Sequence, residues 1–300
     1  MKILLTGSNG LLGQKLVALL LPMPEVELVA TARGENRLAT YFPSLRYRSL
    51  DITDAEQVRL VLAEERPNHL IHTAARTQVD DCELHPEACW LQNVTATEYL
   101  AQACAAQGTH LIHLSTDFIF NGEAGPLAED ATPDPLSHYG RSKLAAEQAV
   151  QATPGLRWAI ARTVLVYGTV LGGGRSNLVQ WVRDSLRQVQ AIKVVDDQYR
   201  TPTLAEDLAL GCWLLAKHQA QGIYHLSGRE LLTPYQMAQQ VAAHFGLDPA
   251  LLQRVDASTF SQPGRRPART GFIIEKAERE LGYQPHSFAA GIAVLAGQLA

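Results

Sequence analysis

The chain has little sulfur and no concentrated charge. Four cysteines, Cys82, Cys89, Cys104 and Cys212, are spread through 300 residues without a CxxC pair. That density excludes a disulfide scaffold, and reduced thiols in a cytoplasmic protein are expected. There is no HExxH and no Cys/His spacing of the zinc kind, so no metal is expected. His110 and His113 read as residues on or beside a strand, and Glu275, Glu278 and Glu280 as an exposed helix face. Lysine and arginine total 26 against 30 acidic residues, a formal net charge of −4, with no basic tract. Nucleic acid and anionic membrane are therefore poor partners. Long apolar runs are also missing. Residues 11–21 are broken by Gln14 and Lys15, are too short to span a bilayer, and begin inside a glycine motif rather than as a signal peptide. Asn93-Val94-Thr95 spells a glycosylation sequon, but nothing else suggests secretion.

What is present begins at the first residues, MKILLTGSNGLLGQKLVALL. Lys2 to Thr6 read as a short buried strand, Gly7, Gly10 and Gly13 follow at three-residue intervals, and a helical pattern continues over 11–21. Strand, glycine turn and helix form the context of a dinucleotide fingerprint, although the spacing is GxxGxxG rather than GxGxxG. The first glycine permits the turn, the second admits the pyrophosphate and the third allows helix and strand to pack closely. The phosphates would then meet the positive end of a helix.

Strand patterns at 2–6, 26–31, 46–49, 69–73, 110–115 and 158–163 alternate with helical patterns at 11–21, 54–64, 88–107 and 139–152. This predicts an α/β fold, a Rossmann-type doubly wound parallel sheet with a smaller C-terminal substrate-binding lobe. Residues 1–165 form the expected dinucleotide-binding domain, with later segments at about 190–225 returning to it. Residues 166–300 are expected mainly in the lobe. There a turn at Gly172-Gly173-Gly174 precedes a helix near 176–188, then comes a strand-like AIKVVD, with helices at 204–217, 234–246 and 275–282. Right-handed crossovers bring the strand ends to one crevice. Thr6-Gly7, Thr31-Ala32-Arg33, Asp51-Ile52, Thr73-Ala74-Ala75 and Ser115-Thr116-Asp117 would converge there.

Tyr139 and Lys143 stand four residues apart, on one face of a predicted helix. A nearby ammonium favours the phenolate and would draw the phenol down from its usual pKa of ~10. A tyrosine tuned in this way is a plausible general acid for a carbonyl under reduction.

These pieces together resemble the extended short-chain dehydrogenases/reductases and, within them, the dTDP-4-dehydrorhamnose reductase group. The matching text is TGSNGLLG, STDFIFNG with a following E-D-x-x-P-x-P, YGRSK, ARTVLVYG and VVDDQYRTPTLAEDLA, in family order over nearly the whole chain. The resemblance implies that Thr116 hydrogen-bonds a substrate carbonyl, Tyr139 donates the proton, and Lys143 holds the nicotinamide ribose while tuning Tyr139. It implies Gly7, Asn9, Gly10, Leu11, Leu12 and Gly13 at the pyrophosphate, Asp51 and Ile52 beside adenine, and Ala74 and Ala75 on the path to nicotinamide. Asp117, Arg200, Arg265 and Arg266 are candidate substrate contacts; the bland reading makes Asp117 a turn cap and the arginines solvated loop charges. The substrate implied is a nucleotide sugar with a keto group, and a homodimer is compatible with the family.

Cofactor choice rests on the end of the second strand. An NAD site places an acid about 20 residues past the glycines. Thr31-Ala32-Arg33-Gly34 has none at the tip, and Arg33 would suit a 2′-phosphate. NADP(H) is favoured over NAD(H), with Glu35 close enough in sequence to keep NAD open. Departures from the group concern the substrate. Leu165 stands where those enzymes typically carry Trp, His138 where Asn is more usual, and GRRPARTGFIIEKAERELGYQP keeps only Arg266-Pro267 of the commoner pattern. Two further readings stay open: a nucleotide-binding regulatory subunit similar to the methionine adenosyltransferase beta subunit, and an epimerase or dehydratase of the extended family.

Overall fold

The computed structural model describes residues 1–173 and 177–299. Gly174, the last residue of the expected glycine turn, and residue 176, the first of the helix expected near 176–188, lie outside the described residues. Eleven strands occur among the described residues: β1 (Lys2–Thr6), β2 (Glu27–Ala32), β3 (Arg46–Ser49), β4 (His69–His72), β5 (His110–Thr116), β6 (Trp158–Thr163), β7 (Val166–Tyr167), β8 (Ile192–Val195), β9 (Thr203–Leu204), β10 (Gly222–His225) and β11 (Leu252–Val255). The helices are α1 (Leu11–Leu20), α2 (Ala55–Glu65), α3 (Val79–Leu84), α4 (Pro86–Trp90), α5 (Ala96–Gln107), α6 (His138–Ala152), α7 (Leu178–Arg187), α8 (Ala205–Lys217), α9 (Pro234–Phe245), α10 (Glu275–Leu281) and α11 (Phe288–Leu299).

Seven strands form one parallel sheet in the order β10-β6-β5-β4-β1-β2-β3. The chain winds outward from β1 in both directions, so the order reverses between β1 and β4, and a crevice opens there at the strand ends. Both faces of the sheet are covered. Ile3, Leu5, Leu16 and Leu208 belong to the core on the α1 and α8 side, while Leu4, Val58, Leu62 and Leu100 belong to that on the α2 and α5 side. Burial on both faces explains why Ile3-Leu4-Leu5 of β1 reads as a continuous apolar run rather than as an alternating one.

A separate apolar cluster joins Val179 and Val182 of α7, Met237 and Val241 of α9, Ile292 and Leu295 of α11, and Ile192 and Leu252 of β8 and β11. β8 and β11 pair only with one another, as do β7 and β9. Within 190–225, α8 and β10 therefore lie against the seven-stranded body, whereas β8 belongs to the smaller cluster.

One expected helix is not continuous. In place of 88–107 stand α4, a widened π-helical turn over Leu91–Thr95, and α5. A wider turn accommodates one extra residue and re-aims a side chain. Here Asn93 points inward, its Nδ2 donating to Arg76 O at 3.0 Å and to Ser142 Oγ at 3.0 Å, while its Oδ1 accepts from Arg76 N at 2.8 Å.

Candidate active site

The glycine turn lies at the reversal of strand order. Thr73 at the end of β4 is tied to Thr6 at the end of β1, with Oγ1 donating to Thr6 O at 2.7 Å. Gly7 has φ +76°, and a Cβ on Gly13 would lie 2.2 Å from Gly7 O. No side chain fits at Gly13, so α1 starts directly against the turn, with Gly10 at its N-cap. Leu11 and Leu12 begin that helix. Asn9 bridges the turn to the segment after β2, its Nδ2 donating to Glu35 O and its Oδ1 accepting from Arg37 N. Arg33, Glu35 and Arg37 are all exposed there. Asp51 accepts from Thr53 N and Oγ1, Ile52 is core, and Ala74 and Ala75 are half-buried beside the turn.

The second half of the site grows from β5 and α6. Ser137 caps α6, its Oγ accepting from Gly140 N at 3.1 Å. A Cβ on Gly140 would lie 2.1 Å from Phe118 O, so only glycine lets α6 rest on the turn that follows β5. That contact brings Tyr139 against Phe118, ring centroids 5.7 Å apart, and within hydrogen-bonding reach of the Thr116 side chain. Tyr139, Thr116 and Lys143 are all buried.

Electrostatics at this site departs from the expectation in one respect. Burial raises the Tyr139 phenol above its ordinary value; the Thr116 hydrogen bond lowers it, while Asp117, Cys82 and Cys89 raise it further. The expected lowering does not prevail, because burial, the largest influence on Tyr139, disfavours the phenolate. Burial also brings the Lys143 ammonium down to about 8, against the raising influence of Glu147 and Cys89. Lys143 Nζ donates to His113 Nε2 at 3.2 Å.

The four candidate substrate contacts have different surroundings. Asp117 is buried, accepts from Thr116 Oγ1 and Thr270 Oγ1, and faces Arg200 Nε at 3.7 Å. Burial raises its carboxyl, with Arg200 the largest opposing influence. Arg200 is itself buried, donating to Tyr199 O at 2.7 Å and Pro267 O at 2.6 Å. It is a tie between loops rather than the solvated charge that the bland reading made it. Arg266 forms a two-pronged pair with Asp80, at 3.0 and 2.8 Å, and Arg265 is exposed. Leu165 is 39% exposed and has φ +37°, an uncommon conformation for a leucine.

Glu275 and Glu280 are exposed, but Glu278 is half-buried and pairs with Arg229 at 2.8 Å. Sequence reasoning missed Asn93, Arg37 and the contact of His113 with Lys143. Only the last had a signal, a histidine set among Leu111, Ile112 and Leu114 of β5.

The model of the RmlD substrate binding domain matches residues 1–300. A dTDP-4-keto-6-deoxy-D-glucose reductase of Streptomyces niveus is 34% identical over 284 residues, covering 94% of this chain and 91% of that protein. Methionine adenosyltransferase 2 subunit beta of Xenopus tropicalis is 33% identical over 259 residues, 84% of this chain and 74% of that one. The crystal structure of dTDP-4-dehydrorhamnose reductase from Bacillus anthracis str. Ames in complex with NADP superimposes with a TM-score of 0.84 at 26% identity, covering 99% of both chains. With a family model matched from end to end on a doubly wound sheet, the chain belongs to the RmlD substrate-binding family.

Proposed function

We propose that this protein is an NADP(H)-dependent reductase of a 4-keto sugar nucleotide, resembling dTDP-4-dehydrorhamnose reductase. The observation that carries this reading is the buried grouping of Thr116, Tyr139 and Lys143 at the sheet end that also holds the glycine turn. The turn fits a dinucleotide: Gly13 lets α1 pack directly on the turn, and Gly10 at its N-cap brings no side chain, so the α1 N-terminus is left to face a pyrophosphate. Gly7, Asn9, Gly10, Leu11, Leu12 and Gly13 would line it, Asp51 and Ile52 would flank adenine, and Ala74 and Ala75 would lead toward nicotinamide. When bound, the reduced nicotinamide supplies the hydride that turns the carbonyl carbon into an alcohol carbon.

The chain's own residues do the rest. Thr116 and Tyr139 hold the carbonyl oxygen as it gains negative charge, and Tyr139 gives it the proton. A phenol kept protonated by burial is suited to donate. Lys143 holds the ribose, and its charge stabilises the phenolate left behind. Asp117 and Arg200 act by fixing the loops around Thr116 and Pro267. The smaller cluster built by α7, α9, α11, β8 and β11 forms the lobe that receives the sugar nucleotide, with Arg265 free to approach its phosphates. Arg33, joined by Arg37, takes the 2′-phosphate, which favours NADPH over NADH. The relative among methionine adenosyltransferase beta subunits supports a second reading, a nucleotide-binding regulatory subunit.

The two readings separate on NADPH oxidation, followed by absorbance, with dTDP-4-keto-6-deoxy-L-mannose as substrate. Turnover in the natural protein and its loss in Tyr139→Phe supports the reductase. Bound NADPH without turnover on this or related keto sugars favours the regulatory subunit.

A further inference from the structure

Thr6, His72 and His113 lie side by side across the centre of the sheet. Thr6 of β1 is in register with His72 of β4, and His72 with His113 of β5. Residues in register point to the same face, so a buried polar row crosses strands that are otherwise largely apolar. Thr6 Oγ1 stands 2.8 Å from His72 Nδ1, the two histidine rings are 5.4 Å apart, and His113 Nε2 meets Lys143 Nζ at 3.2 Å. An ammonium has three donors and no acceptor. His113 Nε2 is therefore the acceptor, and its ring is neutral with the proton on Nδ1. Burial and the neighbouring Lys143 charge both hold this histidine well below its usual range, in agreement with a neutral ring. Its Nδ1 is buried and has no hydrogen-bond partner among the described residues.

We infer that His113 is a positioning residue that fixes the Lys143 ammonium one helical turn from Tyr139. The inference rests on the roles proposed above for Tyr139 and Lys143. Other ionisable groups around the lysine do not replace the histidine. Glu147 of α6 has its carboxylate engaged by Arg162 of β6, with Nη2 at 2.7 Å and Nε at 3.0 Å. Cys89 of α4 raises the lysine pKa through space, and His72 of β4 is neutral, held down to about 3 by burial. Cys82 of α3 and Asp117 after β5 act on Tyr139. A buried ammonium deprived of its acceptor loses part of what keeps it charged.

The test is a pH titration of the Lys143 13Cε resonance in protein labelled with 13C-lysine, assigned by its loss in Lys143→Arg. The natural protein should titrate near 8. His113→Leu should lower that midpoint by about one to two units, the scale of one hydrogen bond to a charged group. His113→Gln, which places an amide oxygen near the Nε2 position, should stay within roughly a third of a unit of the natural protein. His113→Asn offers polar atoms only near Nδ1 and should follow leucine, so it carries the contrast if the leucine variant does not fold. An unchanged midpoint in both His113→Leu and His113→Asn overturns the inference, as does a fall in His113→Gln as large as theirs. The alkaline limb of kcat should move with the midpoint. If the midpoint moves and the limb stays, the pairing stands and it is the role of Lys143 in the reaction that fails.

Discussion

At the scale of single residues, the proposal asks one side chain for one proton. Tyr139→Phe removes that proton and leaves the buried ring in place. Turnover should fall by about 100-fold or more, the ordinary worth of a positioned acid, while the dissociation constant for NADPH, read by fluorescence titration, stays within about twofold. Equal turnover would refute the assignment. Arg33 is exposed just past β2, at the start of the segment that Asn9 ties to the glycine turn through Glu35 and Arg37. Arg33→Ala should weaken NADPH by about tenfold, roughly 1.4 kcal/mol, and leave NADH nearly unchanged. Equal weakening of both would count against the 2′-phosphate role. In the sequence Tyr139 stands out by its four-residue spacing from Lys143, and Arg33 by the missing acid at the tip of the second strand. Arg200 does not: its burial depends on the carbonyls of Pro267 and Ala268, which are remote in sequence.

At the scale of elements, the joint between α6 and the turn after β5 decides whether the site assembles. Gly140→Ala would place a methyl group 2.1 Å from Phe118 O, and backbone cannot yield as a flexible side chain would. Overpacking of about 1–3 kcal/mol should exceed alanine's helix-propensity gain of about 1 kcal/mol. Urea unfolding should therefore show a lower midpoint, and turnover should fall because Tyr139 is displaced from Thr116. A midpoint at or above that of the natural protein would show that the joint tolerates a side chain. The regular half of the fold was readable because its strands are buried on both faces and its helices keep their period. The break in the expected 88–107 helix was hidden, since a π-helical turn leaves the residue types unchanged and shifts only their direction. β10, β11 and α11 were missed as well. The strands are four residues long, and α11 carries almost no polar residues to mark a face.

At the scale of the molecule, histidines buried in a neutral state tie stability to pH. Burial holds His69 and His110 down to about 4, and His72 and His225 to about 3. In the unfolded chain each takes up a proton near 6.5. Between those values the unfolded state binds more protons, so stability is fully present above about 6.5 and is lost as pH falls toward 4. The urea midpoint should drop steadily across that window, and less steeply in His225→Gln; a flat profile from pH 7 to pH 4.5 would contradict the burial of neutral rings. The central claim concerns where the hydride goes. It is tested most directly by NADPH deuterated at the transferable position, with a 4-keto-6-deoxy sugar nucleotide as acceptor and the product read by NMR. Deuterium on the new alcohol carbon, formed by the natural protein and not by Tyr139→Phe, is the result expected. Intact NADPH bound with no deuterium in any sugar product, and the same outcome in both proteins, would contradict the account.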